Sequence, residues 1–367
     1  MNAEPWGRAG RTRAGAADPR SRPGRGIPDG RIARLALLIA VASALSIRCN
    51  AAVNVAPSMA GQGKVLRVGV SLIDAPVYRE ALAGLQNGLR DLGYREGLNL
   101  AIEVRHPTDG SAGAKELAIA DLRAANVDVI VTTAPPQLIP KLIRLASPTP
   151  IVEALMSSSI IGTSEVASYA RPGGSLTGII RSEPRQYARR LQLLHEVAPA
   201  VSHVAFVVAW DSSPNPPGLA ETQAIAQTLG LDVRVVQPSA ADNLKPALIA
   251  ALPARTDGMM QYGADAFADP ERQKQIIDSA ATLRIPAVYD DREWAAAGGL
   301  MAYGPNIVAN FRRAAAYVDK IAKGARAGDL PVEEPAQFDV VLNLRTARVL
   351  GLPIPPTVLG QASELIQ

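Results

Sequence analysis

From residue 65 to residue 289 the chain repeats one unit: a short β-branched run, a loop, then apolar residues at helical spacing. Such alternation leaves few folds open. Parallel strands need crossover connections, and the crossovers here have helical patterns. The first round begins with a strand over 65–70 and a helix over 77–92, with Val77, Ala81, Leu82, Leu85, Leu89 and Leu92 on one face and Gly93 closing it. Strands over 98–104 and 127–132, helices over 111–125 and 136–146, and a fourth strand opening at 150–152 complete that round.

The same grammar restarts after a helical pattern over 187–197. Strands are expected over 201–209, 232–236, 258–262 and 286–289. Helices are expected over 219–229, closed by Gly230, and over 241–251 and 270–283. A helix over 307–323, a strand over 338–343 and a short helix over 344–350 follow. The proline-rich 351–356 cannot continue a helix. The expected fold class is α/β: two Rossmann-like lobes with parallel sheets.

A different signal precedes the repeats. Eight arginines (8, 11, 13, 20, 22, 25, 31, 34) against Glu4, Asp18 and Asp29 lead into the apolar run 35–45. A basic region, a short apolar stretch and the small residues Ala42-Ser43-Ala44 describe a secretory signal. The run falls short of the roughly 20 residues of a membrane span. Cys49 stands just behind it, either as a lipid-anchor site or as a residue near a cleaved signal. Arg48 directly before it fits a lipoprotein box poorly. Residues 1–48 are therefore expected to be a leader and 49–64 a linker.

This leader holds much of the basic excess, so the net charge of +4 is not a nucleic-acid footprint. Cys49 is the only cysteine, which excludes internal disulfides and thiolate metal sites. The histidines, His106, His195 and His203, fall in no metal-binding spacing, and no G-x-S-x-G elbow is present. No enzyme signature is present in these spacings, although paired carboxylates can meet in space, and neither a cofactor nor a metal is expected.

Several stretches carry a resemblance. Residues 170–178 (ARPGGSLTG) resemble the "RPGGN-hydrophobic-TG" signature of bacterial ABC-transporter substrate-binding proteins, the group with tryptophan- and tyrosine-binding members. Residues 67–94 resemble its opening strand and helix. Residues 290–304 resemble its second hinge region, and 342–355 its closing "N-x-x-T-A…LGL-x-IP" pattern. The resemblance implies a type I periplasmic binding protein, with lobes joined by a three-crossover hinge. Lobe 1 is then expected over 65–182 plus 303–330, and lobe 2 over 183–302 plus 331–367. It implies a small-molecule ligand, an ABC permease with its cytoplasmic ATPase as partner, and a periplasmic or otherwise extracytoplasmic location. A ligand sensor docking on a membrane receptor or histidine kinase shares the same fold and compartment. A DNA-binding repressor would need an N-terminal helix-turn-helix, which the Gly-, Pro- and Arg-rich start does not supply.

Ligands of open α/β sheets sit beyond the carboxyl ends of the strands. The candidate ligand-binding residues are therefore Ser71, Leu72 and Asp74 after the first strand, Thr132, Thr133 and Ala134 after the third, and Met156 with Ser157-Ser158-Ser159 after the fourth. In the second lobe they are Tyr262, Asp265, Asp290 and Asp291, with Tyr303 at the hinge. Hydroxyls and backbone N–H groups suit a carboxylate, while Asp265 or Asp290 suits an ammonium. The family often has Asp-Pro where the serine run stands. Each of these residues also has a plain alternative, as helix cap, turn residue or core.

Overall fold

The structure, a computed structural model, describes residues 64–107, 111–181, 184–209, 218–239, 243–262 and 270–367. The expected leader, Cys49 and Asp265 lie outside the described residues.

The first round folds as β1 (Leu66–Ser71), α1 (Pro76–Asp91), β2 (Leu100–Arg105), α2 (Ala112–Ala124), β3 (Val129–Thr132), α3 (Ile139–Ala146), β4 (Ile151–Met156) and β5 (Leu176–Ile180). Its sheet has the order β2-β1-β3-β4-β5 and is parallel throughout. The second round comprises α4 (Pro184–Val197), β6 (His203–Val208), α5 (Leu219–Leu229), β7 (Asp232–Val236), α6 (Leu244–Ala251), β8 (Gly258–Tyr262), α7 (Pro270–Leu283), β9 (Ala287–Tyr289), α8 (Arg292–Ala296) and β10 (Met301–Pro305). After α9 (Ile307–Ala322) come β11 (Phe338–Asn343), α10 (Leu344–Leu350), α11 (Pro356–Leu359) and β12 (Glu364–Ile366). The second sheet has the order β12-β11-β10-β9-β8-β6-β7. It is parallel except where β11 runs against β10, so the expectation of purely parallel sheets needs that one amendment.

The central strands have both faces covered. On β1, Leu66, Val68 and Val70 join a core with Leu85 and Leu89 of α1 and with Phe311, Ala315 and Val318 of α9. α9 lies in the chain between β10 and β11 of the second sheet yet packs in the first lobe. Two glycines of α1 let it approach: a Cβ on Gly84 would stand 2.6 Å from the Val308 carbonyl, and one on Gly88 2.5 Å from that of Arg312.

The chain passes between the sheets after Ile180, after Pro305 and again before Phe338. The expected return to lobe 1 at residue 303 falls inside β10, which reaches Pro305 because it pairs with β11 along its whole length. Glu333 likewise exchanges backbone hydrogen bonds with Gly178 and Ile180, which keeps residues 331–333 against the first sheet. The Gly173-Gly174 turn, with φ of +89° at Gly173, seats closely against Gly328 beside this last passage.

Candidate functional site

Both sheets reverse their strand order once, the first between β1 and β3 and the second between β6 and β8. Ligands of open α/β sheets collect at such switch points. In the first sheet the register brings Ser71 beside Thr132. Ser71 is buried, and its hydroxyl has no hydrogen-bond partner among the described residues. Thr132 Oγ1 donates to the Ser71 carbonyl at 3.0 Å and so ties the strands together. Thr133 is buried, with its carbonyl accepting from Lys115 Nζ at 2.6 Å. The Ala134 N–H donates to Glu153 Oε1 at 3.1 Å.

The other first-lobe candidates separate by burial. Leu72 and Met156 are core residues, 2% and 1% exposed, and their side chains fill the lobe. Asp74 is exposed and bonded to Arg79 at 2.7 Å, a bond that holds its carboxyl below the usual value. Ser157, Ser158 and Ser159 form a short turn in which the Ser157 hydroxyl accepts from the Ser159 N–H.

In the second lobe Tyr262 ends β8, its ring 4.8 Å from that of Tyr187 and 5.8 Å from that of Phe206. Asp290 is buried, and its Oδ1 lies 2.5 Å from Arg190 Nη1, the two side chains being 7% and 1% exposed. That pairing corrects the expectation of Asp290 as a free counter-ion for an ammonium. A buried carboxylate already matched by a buried arginine has its charge balanced inside the lobe. Arg190 also donates through Nε to the Tyr303 carbonyl at 2.7 Å, and the Tyr303 ring stacks on Phe338 at 5.6 Å. Burial raises the pKa of the Tyr303 phenol.

Asp291 behaves differently from its neighbour. It pairs with Arg181, just past β5, through an Arg181 Nη2 to Oδ2 bond of 2.6 Å. Burial raises its pKa, and Arg181 opposes that rise. Glu293 lies beside it. Burial, and next the Asp291 charge, push the Glu293 carboxyl up to about 8. Both line a cavity of about 290 Å³. Its wall takes Val77 and Glu80 from α1, Asp339 and Glu364 from the second sheet's edge, and the passage from Gly304 to Val308. Arg292, paired with Glu364 at 2.5 Å, is the one basic side chain against five acidic ones on that wall.

Of the residues expected from sequence, then, Asp291 lines this cavity, Ser71 and Thr132 meet at the first switch point, and Tyr262 stands at the second. Sequence reasoning missed Arg181, Arg190, Glu153, Lys115 and Glu293. For Arg190 a signal was available: on α4 its position matches the apolar stripe of Tyr187, Leu191 and Leu194, and an arginine on a buried stripe demands a partner.

A serine, a histidine and an aspartate do come together at the start of β6. Ser202 Oγ lies 2.8 Å from both His203 Nδ1 and Asp257 Oδ2, so serine and aspartate crowd the same ring nitrogen. A catalytic triad needs them on opposite nitrogens. No group of His, Cys, Asp and Glu among the described residues could hold a metal ion, and no helix there is long and apolar enough to cross a membrane.

No curated protein sequence matches the chain. Solved structures do. A domain from Streptococcus pneumoniae in complex with L-Trp is 20% identical, with 82% of this chain and 99% of that one covered and a TM-score of 0.69. A conserved domain protein from Vibrio cholerae is 23% identical, with coverage of 82% and 100% and the same TM-score. A ligand-free, open substrate-binding protein with adhesive properties from Clostridium difficile is 16% identical, with coverage of 83% and 100% and a TM-score of 0.65. At such identities these likenesses establish the fold. The family follows from the sequence itself, because the profile described as ABC transporter substrate binding protein matches residues 67–366, both sheets and every passage between them. The chain belongs to the ABC transporter substrate-binding protein family, a family of solute-binding proteins that are not enzymes.

Proposed function

We propose that the protein is the extracytoplasmic solute-binding component of an ABC importer. It captures an amino acid or a related small carboxylate between its lobes and presents it to a permease driven by a cytoplasmic ATPase. The observation that carries this reading is the cavity walled by α1 of one lobe and by the strand ends of the other. Its five acidic residues against one arginine favour an ammonium group, with Asp291 and Glu293 among them. The unpartnered Ser71 hydroxyl and the loops after β1 and β3 supply donors for a carboxylate. Hinge closure then follows as a population shift, since a ligand touching both lobes binds the closed form more tightly. The basic and apolar start of the chain supports export.

Thermal unfolding of residues 65–367 with a panel of amino acids and small carboxylates tests the reading. A ligand that binds only the folded state raises the melting temperature with concentration. At least one amino acid is expected to do so. A panel without any shift removes the amino-acid reading.

A further inference from the structure

Two carboxyls on the wall of the cavity between the lobes, Asp291 and Glu293, lie within hydrogen-bonding reach of each other at the start of α8. They differ in their cations. Asp291 has Arg181, which comes from just past β5 and bonds to it at 2.6 Å. Among the described residues Glu293 has no such partner. Arg292, which stands between the two in the chain, turns instead to Glu364 and donates to it twice, at 2.5 and 2.8 Å.

Two acids in contact do not both ionise while only one of them has a cation. Arg181 therefore decides which carries the charge: Asp291 is the carboxylate, and Glu293 keeps its proton and donates it to Asp291. Burial, and next the Asp291 charge, hold that proton on Glu293 through neutral pH, while Arg292 pulls more weakly the other way. The other charged groups around the pair are Glu80 on α1, exposed, Asp339 on β11, half-buried, and Glu364 on β12, already matched by Arg292. Asp290, from the end of β9, and Arg190, from α4, act on Asp291 in opposite senses. No histidine stands on that wall. Glu293 is thus the enclosed acid that gains a counter-charge only when a cation enters the cavity.

We infer that Glu293 recognises the ammonium of the captured solute, and that capture exchanges the Glu293 proton for this ammonium, the proton passing to solvent. This rests on the proposed capture of an amino acid between the lobes. Arg181 is the positioning residue of the exchange, because it keeps Asp291 occupied and leaves Glu293 to the solute. The exchange narrows the solute class: an acid lacking the amine cannot replace the proton. Capture that releases a proton also tightens as pH rises.

The test first screens the protein by thermal shift against the twenty standard L-amino acids, one at a time. The strongest binder is then titrated calorimetrically at pH 5.5 and pH 8, beside the same acid without its amino group. Its affinity is expected to rise roughly tenfold or more between the two pH values, with net proton release seen by repeating the titration in buffers of different ionisation enthalpy. The deaminated analogue is expected to show neither. Glu293→Gln, a mimic of the protonated acid that can still donate to Asp291, is expected to abolish the rise with pH. Affinity in the wild type that is equal at the two pH values, equal binding of the deaminated analogue, or a rise that persists in Glu293→Gln overturns the inference while leaving amino-acid capture standing. No shift from any of the twenty overturns both.

Discussion

The two lobes solve the same problem at their strand ends by different means. Each carries a buried acidic residue whose backbone is pressed by a glycine of the next strand. A Cβ on Gly178 would lie 1.9 Å from the Glu153 carbonyl, and one on Gly304 would lie 1.8 Å from that of Asp290. In the first lobe the Glu153 carboxylate takes a backbone N–H from Ala134, within the loop that follows β3. In the second, Asp290 is matched by Arg190, a side chain from the first helix after the passage between lobes. The first lobe's charge is thus settled by its own loops at the switch point. The second lobe's charge depends on how α4 is seated. That difference gives Asp290 a counter-charge inside the lobe and makes Arg190 a structural keystone beside the hinge.

The sharpest way to break this comparison is to remove the arginine. Arg190→Ala leaves Asp290 buried without a counter-charge and is expected to cost about 3–5 kcal/mol in denaturant unfolding. Replacing both partners with apolar residues, as in Arg190→Met with Asp290→Leu, is expected to recover most of that loss. Glu153→Gln keeps an acceptor for the Ala134 N–H and should cost about 1 kcal/mol. A loss at Glu153 as large as that at Arg190 would show the lobes to be balanced alike. Next in size come Gly178→Ala and Gly304→Ala. Each forces a methyl group into a backbone carbonyl and is expected to cost about 1–3 kcal/mol by overpacking. Gly178 adds backbone strain, with φ of +154°, so it should be the worse of the two.

Much of the scaffold was legible in the sequence because periodicity reports burial. Leu219–Leu229, Asp232–Val236, Gly258–Tyr262 and Pro270–Leu283 form over the residues their spacing predicts. The strands β5, β10 and β12 were not anticipated. β5 is short and broken by Gly178 behind a glycine turn, and β10 contains Gly304 and ends in proline, so neither shows an uninterrupted strand pattern. β12 has three residues, too few to show a period. The site was legible only as a set of positions. Strand ends can be counted along a chain. Which carboxylate is already paired depends on Arg181 and Arg190, whose separations of 110 and 100 residues from Asp291 and Asp290 are closed only by folding.

Titration offers a gentler probe of the same contrast. In the second lobe the Glu293 carboxyl is raised from its ordinary 4.5 to about 8, first by burial, and that of Asp291 is also raised. A carboxyl raised in the folded state keeps its proton when the unfolded chain loses it. Stability is therefore full below about pH 4.5, declines as pH rises towards about 8, and levels off beyond. Glu293→Gln removes one titrating group and should flatten that decline in melting temperature measured from pH 5 to 8.5. An unchanged slope would mean that the cavity is wet enough to ionise both carboxyls.

The smallest effect is expected at Asp74 in the first lobe. Its hydrogen bond with Arg79 lowers its pKa, so the sign is opposite: any stabilisation is present above its ordinary 3.8 and is lost as pH falls through the lowered folded value. The pair is exposed and screened by water and salt, and such pairs contribute little. Asp74→Asn should therefore leave melting at pH 7 unchanged and should flatten only a shallow acid limb. If the variant instead loses amino-acid binding while its melting curve stays put, Asp74 reaches the solute from the α1 end of the cavity. The first lobe would then contribute a second carboxylate beside Glu80, and its charge would no longer be settled by its own loops alone.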